Sequence, residues 1–132
     1  MYKIEKKSYG YRLLFSGFIK DEEMKTWAAE SKKILSAPQA KDFGVMVDMR
    51  DLKPLDDAAK QTMVEGQKQY KEKGMARSAV ILNNPILTMQ FRRLAKDSGI
   101  YQWERYIDSS TTKDYEKVCE DWLVKGIDPD KK

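Results

Sequence analysis

Histidine is absent from this chain of 132 residues. The commonest general base and the commonest metal ligand are therefore missing. No Ser-His-Asp or Cys-His pair can form. The single cysteine, Cys119, cannot close an internal disulfide, and without histidine it leaves no Cys/His zinc site. No apolar run approaches the ~20 residues of a membrane helix. The opening MYKIEKKSYG lacks the apolar stretch of a secretory signal, and there is no glycine-rich phosphate loop of the Walker or Rossmann kind. Catalysis would have to rest on carboxylates, lysine, tyrosine or arginine alone. These absences predict a non-enzymatic protein of a reducing cytoplasm, without cofactor or metal and without a segment integral to the membrane.

What remains is rich in charge of both signs. Charged residues make up 35% of the chain, and the mean hydropathy is −0.72. Lysine and arginine number 25 against 21 acids, a net charge of +4. The basic groups Lys68, Lys71, Lys73 and Arg92, Arg93, Lys96 are interrupted by Glu65, Glu72 and Asp97. They read as solvated helix faces, not as a nucleic-acid surface. The length fits one domain, taken as residues 1–126, with a frayed polar tail over 127–132.

Periodicity supplies the elements. Residues 2–7 and 11–18 read as two strands joined by the turn signal Ser8-Tyr9-Gly10, an antiparallel hairpin. A first helix opens with Asp21 as N-cap and carries the stripe Met24, Trp27, Ala28, Ser31, Leu35. GVMVDM (44–49) is a buried strand. A second helix, about 57–73, has the thin stripe Ala59, Met63, Gly66, Tyr70; its glycine predicts looser packing. SAVIL (78–82) is the next strand, and Asn84-Pro85 opens a third helix whose inner face is Leu87, Phe91, Leu94 and Ala95. YQWERYI (101–107) reads as a more exposed edge strand. Thr111 and Thr112 offer caps to a fourth helix, with the stripe Tyr115, Val118, Cys119, Trp122, Leu123 and Gly126 at its end. The reading is an α/β fold with a mixed, mostly parallel sheet and an N-terminal β-hairpin, in the order β-β-α-β-α-β-α-β-α.

That order, together with Val47-Asp48-Met49-Arg50-Asp51, Ala79-Val80-Ile81-Leu82, Tyr106-Ile107-Asp108 and Trp122-Leu123, resembles the STAS domain, the fold of bacterial anti-sigma-factor antagonists. The closest likeness is to the branch called sporulation stage II antagonist-like, which is grouped with lipid-binding CRAL-TRIO-type domains. The resemblance implies a regulatory or protein-interaction module, or alternatively a carrier or sensor of a lipid or other apolar small molecule, for which Met24, Met46, Met49, Met63, Met75 and Met89 offer adaptable lining. A homodimer stays open. Antagonists of this kind are switched by phosphorylation of a serine at the start of the helix after the motif strand. Here that region reads Leu55-Asp56-Asp57-Ala58-Ala59, with no Ser or Thr before Thr62.

Parallel sheets place binding sites where strands end and helices begin. The candidate ligand- or partner-binding residues are therefore Asp48, Arg50, Asp51, Asp56 and Asp57, with Asn83 and Asn84 expected beside them at the next strand end. Each has a plain structural role open to it. Arg50 can pair with a neighbouring acid, Asp51 can cap a turn, and Asp56, Asp57 and Asn84 can cap helices. Cys119, on an inward stripe, reads as a buried inert thiol.

Overall fold

The computed structural model describes residues 1–131 and shows the predicted order: β1 (Tyr2–Lys7), β2 (Gly10–Gly17), α1 (Asp21–Leu35), β3 (Gly44–Leu52), α2 (Asp57–Glu72), β4 (Arg77–Leu82), α3 (Pro85–Ser98), β5 (Glu104–Asp108) and α4 (Tyr115–Lys125), with a 3-10 turn over Ile100–Gln102 before β5. The sheet runs β1-β2-β3-β4-β5 in chain order. Only β1–β2 is antiparallel, and the other neighbours are parallel. Each crossover steps the same way along the sheet, so the right-handed rule sends α1, α2 and α3 to one face. α4 follows the last strand and covers the other face.

Strand alternation divides the core accordingly. Leu13, Phe15, Val45, Val47, Val80 and Leu82 meet Met24 and Trp27 of α1, Met63 and Tyr70 of α2 and Ala95 of α3. Met46, Ala79, Ile81 and Ile107 meet Cys119, Trp122 and Leu123 of α4. The stripe of α2 is buried as predicted, but its packing is not loose. A Cβ on Gly66 would lie 2.2 Å from Cζ3 of Trp27, so the missing side chain is what admits the indole. A second glycine contact starts the sheet: a Cβ on Gly10, at φ +144°, would lie 2.0 Å from the Gly44 carbonyl oxygen, across the β2–β3 pair Gly10↔Gly44.

Several local expectations are corrected. Asp21 is the first residue of α1 and not its cap, since Lys20 takes that place; the Asp21 carboxylate instead accepts from Thr62 Oγ1 of α2 at 2.5 Å. Thr111 and Thr112 do not cap α4. The cap position is Asp114 in a left-handed conformation, while Thr111 donates to the Asp108 carboxylate at 3.1 Å. α3 keeps Phe91 and Ala95 of its expected face but turns Leu87 and Leu94 outward in favour of Thr88. Thr88 and Ala95 are buried and Phe91 stacks on Tyr106 at 5.8 Å, whereas Leu87 is 41% and Leu94 63% exposed. Leu87 and Thr88 both satisfy helical spacing, and neighbouring residues on a helix point about 100° apart. The rotation goes to the side that stacks Phe91 on β5. β5 is an edge strand, as expected, but its last four residues are buried because α3 and α4 flank it. Asp128 and Asp130 tie the described part of the tail to the fold. Arg105 pairs with Asp128 through Nε at 2.9 Å and Nη2 at 3.1 Å, and Arg92 meets Asp130 at 3.3 Å. Lys132 lies outside the described residues.

Candidate functional site

The acid–Met–Arg–acid motif is strand, not loop, because β3 continues to Leu52. Residues two apart on a strand share a face, so Asp48 and Arg50 both turn toward α4. Asp48 is 1% exposed. Its Oδ1 accepts from the Arg50 backbone N–H at 3.1 Å and from Arg50 Nε at 3.0 Å. Its Oδ2 accepts from Arg12 Nη2 of β2 and Arg50 Nη2, each at 2.8 Å. Burial by itself raises this carboxyl, but the bonds from Arg50 and the charges of Arg50 and Arg12 outweigh burial and hold it below the ordinary carboxylate range. Arg50 donates onward to the Tyr115 hydroxyl and lies over that ring, 5.0 Å from its centroid. A carboxylate with four donors and a lowered pKa is a poor base. The cluster is an ionic pin tying β2, β3 and α4. Arg12 and Tyr115 were not singled out from the sequence. The available signals were a lone charge inside the strand YRLLFSGF and an aromatic at the start of the last helical stripe.

The other candidates do not join that pin. Asp51 is exposed and pairs in register with Ser16 of β2. Asp56 caps α2, its side chain accepting from Ala59 N–H at 2.8 Å; Asp57 is the exposed first residue of that helix. Asn84 caps α3 through Leu87 N–H at 2.9 Å. Asn83 accepts from Ser109 Oγ at 3.3 Å, on the side of β5, away from the β3 loop. The expectation that the asparagines sit beside the acids is met only by strand adjacency. The sequence reading missed Phe18, 78% exposed. It follows Gly17, whose carbonyl accepts from Lys53 N–H at 3.0 Å, so Phe18 stands at the C-terminal end of β2, next to the backbone of Lys53. A bulky aromatic directly after a strand-ending glycine was the available clue.

Two cavities bear on ligands. The space under α2, between Tyr70, Met75, Val47 and Glu104, holds only about 20 Å³. A larger cavity of about 390 Å³ lies over β5, between α3 and the tail. Among the described residues, no group of three His, Cys, Asp or Glu is placed to hold a metal, and no helix is long and apolar enough to cross a membrane. The Cys119 thiol is buried, and burial pushes its pKa up to about 12, which makes it a poor nucleophile.

An uncharacterized protein of the DUF3478 family with a SpoIIAA-like fold, from Shewanella loihica PV-4, superposes with a TM-score of 0.66 at 15% identity, covering 93% of this chain and 92% of that one. The anti-sigma factor antagonist SpoIIAA in its unphosphorylated form superposes with a TM-score of 0.59 at 13% identity, covering 97% and 99%. The fold is SpoIIAA-like. No protein-family model and no curated protein sequence matches the chain. At these identities the likeness concerns architecture. In this SpoIIAA-like chain the helix after the motif strand begins with a capping Asp56 and an exposed Asp57.

Proposed function

We propose that this chain is a non-enzymatic regulatory module that binds a protein partner at the C-terminal ends of β2 and β3, without a phosphoserine switch. The observation that carries the reading is Phe18, 78% exposed at the C-terminal end of β2, where Gly17 meets Lys53 and the exposed Asp51 pairs in register with Ser16. An exposed aromatic with charged residues near it is the makeup of an interface anchor and its polar rim. The SpoIIAA-like fold supports the class of function. The acids Asp56 and Asp57 are favoured at a helix N-terminus, and the start of α2 offers no hydroxyl before Thr62. The carrier reading has less support: a site for an apolar ligand takes roughly 300–1,000 Å³, the space under α2 is about 20 Å³, and the cavity of about 390 Å³ over β5 has the charged Arg92, Asp108 and Asp130 in its wall. A reducing compartment such as the cytoplasm belongs to the same proposal, supported by the single buried thiol.

Affinity capture from a lysate of the source cells tests this. The wild-type chain is expected to retain one protein stoichiometrically, and Phe18→Asp to lose it. Recovery of no protein, or of the same protein by both chains, overturns the proposal.

A further inference from the structure

The 390 Å³ cavity lies along the outer edge of β5, walled by Thr88, Met89 and Arg92 of α3, Val118 of α4 and Pro129 of the tail. Ser78 N–H donates to the Trp103 carbonyl at 2.9 Å, and Ser109 N–H to the Leu82 carbonyl at 2.8 Å. Parallel pairing therefore turns the backbone of Arg105 and Ile107 toward β4, and that of Glu104, Tyr106 and Asp108 outward. The outward carbonyls already hold donors. Glu104 accepts from Arg105 Nη1 at 3.0 Å, Tyr106 from Arg92 Nη2 at 3.2 Å, and Asp108 from the backbone of Thr111 and Thr112 at 3.3 and 3.0 Å. The outward N–H groups of Tyr106 and Asp108 have no acceptor among the described residues, nor has the buried Nε of Arg92. The edge is thus rich in donors and poor in free acceptors. Its flank is apolar: Ile86 is 70% and Met89 59% exposed.

We propose that β5 takes an extended peptide segment of a partner protein along its edge, held one-sidedly by the segment's carbonyls on the Tyr106 and Asp108 N–H groups, with an apolar side chain of that segment seated against Met89. Two N–H groups two residues apart stand about 6.6 Å from each other, the repeat at which a strand presents its carbonyls. One carboxylate or phosphate cannot span them, and the carboxylates of Asp108 and Asp130 in the same wall disfavour a free anion. A second copy of this chain is the wrong occupant, because β5 against β5 sets unpaired donors against unpaired donors. This surface is distinct from that of Phe18, which lies three strands away across the sheet.

The test uses the full chain, labelled with nitrogen-15, and peptides selected against it from a phage-displayed library of random linear dodecamers. A selected peptide is expected to shift the amide signals of Tyr106 and Asp108 and to slow their hydrogen exchange. Met89→Lys, at an exposed position, is expected to weaken binding about tenfold or more, while Phe18→Asp and Val64→Lys, the latter at a 42% exposed position of α2, leave it unchanged. Loss of binding with Phe18→Asp, binding unaffected by Met89→Lys, or no selected peptide that moves both amides overturns the assignment. So does a concentration-dependent dimer that protects the same two amides without peptide.

Discussion

Asp48 is the residue on which most side-chain bonds of the motif strand converge. Removing its charge leaves Arg12 and Arg50, both partly buried, facing one another across an uncharged group. Breaking a buried pair from one side costs about 3–5 kcal/mol, and the partial exposure of both guanidinium groups lowers this. Asp48→Asn is expected to lose about 2–3 kcal/mol at pH 7, read from urea unfolding. The folded pKa is lowered, so this stability is fully present above the ordinary carboxylate range and is lost as pH falls through the folded value. The gap between wild type and variant should close on acidification. A gap that stays constant with pH would mean that the carboxylate's charge is not what holds the pin. Arg50 was legible from the sequence as half of an ion pair, but Arg12 was not, since it reaches Asp48 from a strand 36 positions away.

Among the elements, α2 shows propensity and packing opposed. On an exposed helix Gly→Ala gains about 1 kcal/mol. At Gly66 the added methyl would strike Trp27 at 2.2 Å. Both atoms sit in a packed layer, with the Trp27 ring stacked on Tyr70 at 6.4 Å and edge-on to Phe15 at 5.0 Å. Gly66→Ala is therefore expected to destabilise by about 1–3 kcal/mol. A rise in the thermal midpoint would show that the α1–α2 contact yields without cost. The same competition explains α3. Its cap, Asn84-Pro85, was legible because capping is local chemistry. Its rotation was legible only in part: Phe91 and Ala95 were placed inward, but Leu87 and Leu94 fit the helical spacing as well as Thr88 does. The ring of Tyr106 and its carbonyl, which accepts from Arg92, select Thr88.

Across the whole molecule, the tail closes the fold. Asp128 and Asp130 bring the end of the chain back onto Arg105 and Arg92, joining α3, β5 and the segment after α4. Arg105 lies over the rings of Tyr101 and Trp122, 3.8 and 4.3 Å from their centroids, and its side chain is only 9% exposed. Ending the chain after Ile127 strips this guanidinium of both carboxylates. The truncated chain is expected to be about 1–3 kcal/mol less stable, with faster amide exchange in β5 and α3 than in β2. Equal exchange across the sheet would show the tail to be a passenger. A run such as IDPDKK reads as disordered because disorder is judged from composition, while the arginines that hold it are 23 and 38 positions upstream.

The chain's own sequence determined its element order, the single antiparallel pair, the caps of α2 and α3, the inert thiol and the exclusion of histidine chemistry. These follow from periodicity, local capping and composition, each carried by neighbouring residues. Tertiary structure decided which charges pair, whether Leu87 or Thr88 of α3 faces inward, why Gly66 is small, and where the outer edge of β5 and the exposed Phe18 lie. These depend on groups brought together from distant positions, where one-residue choices of register and rotation are nearly equal locally and are settled by packing against the sheet.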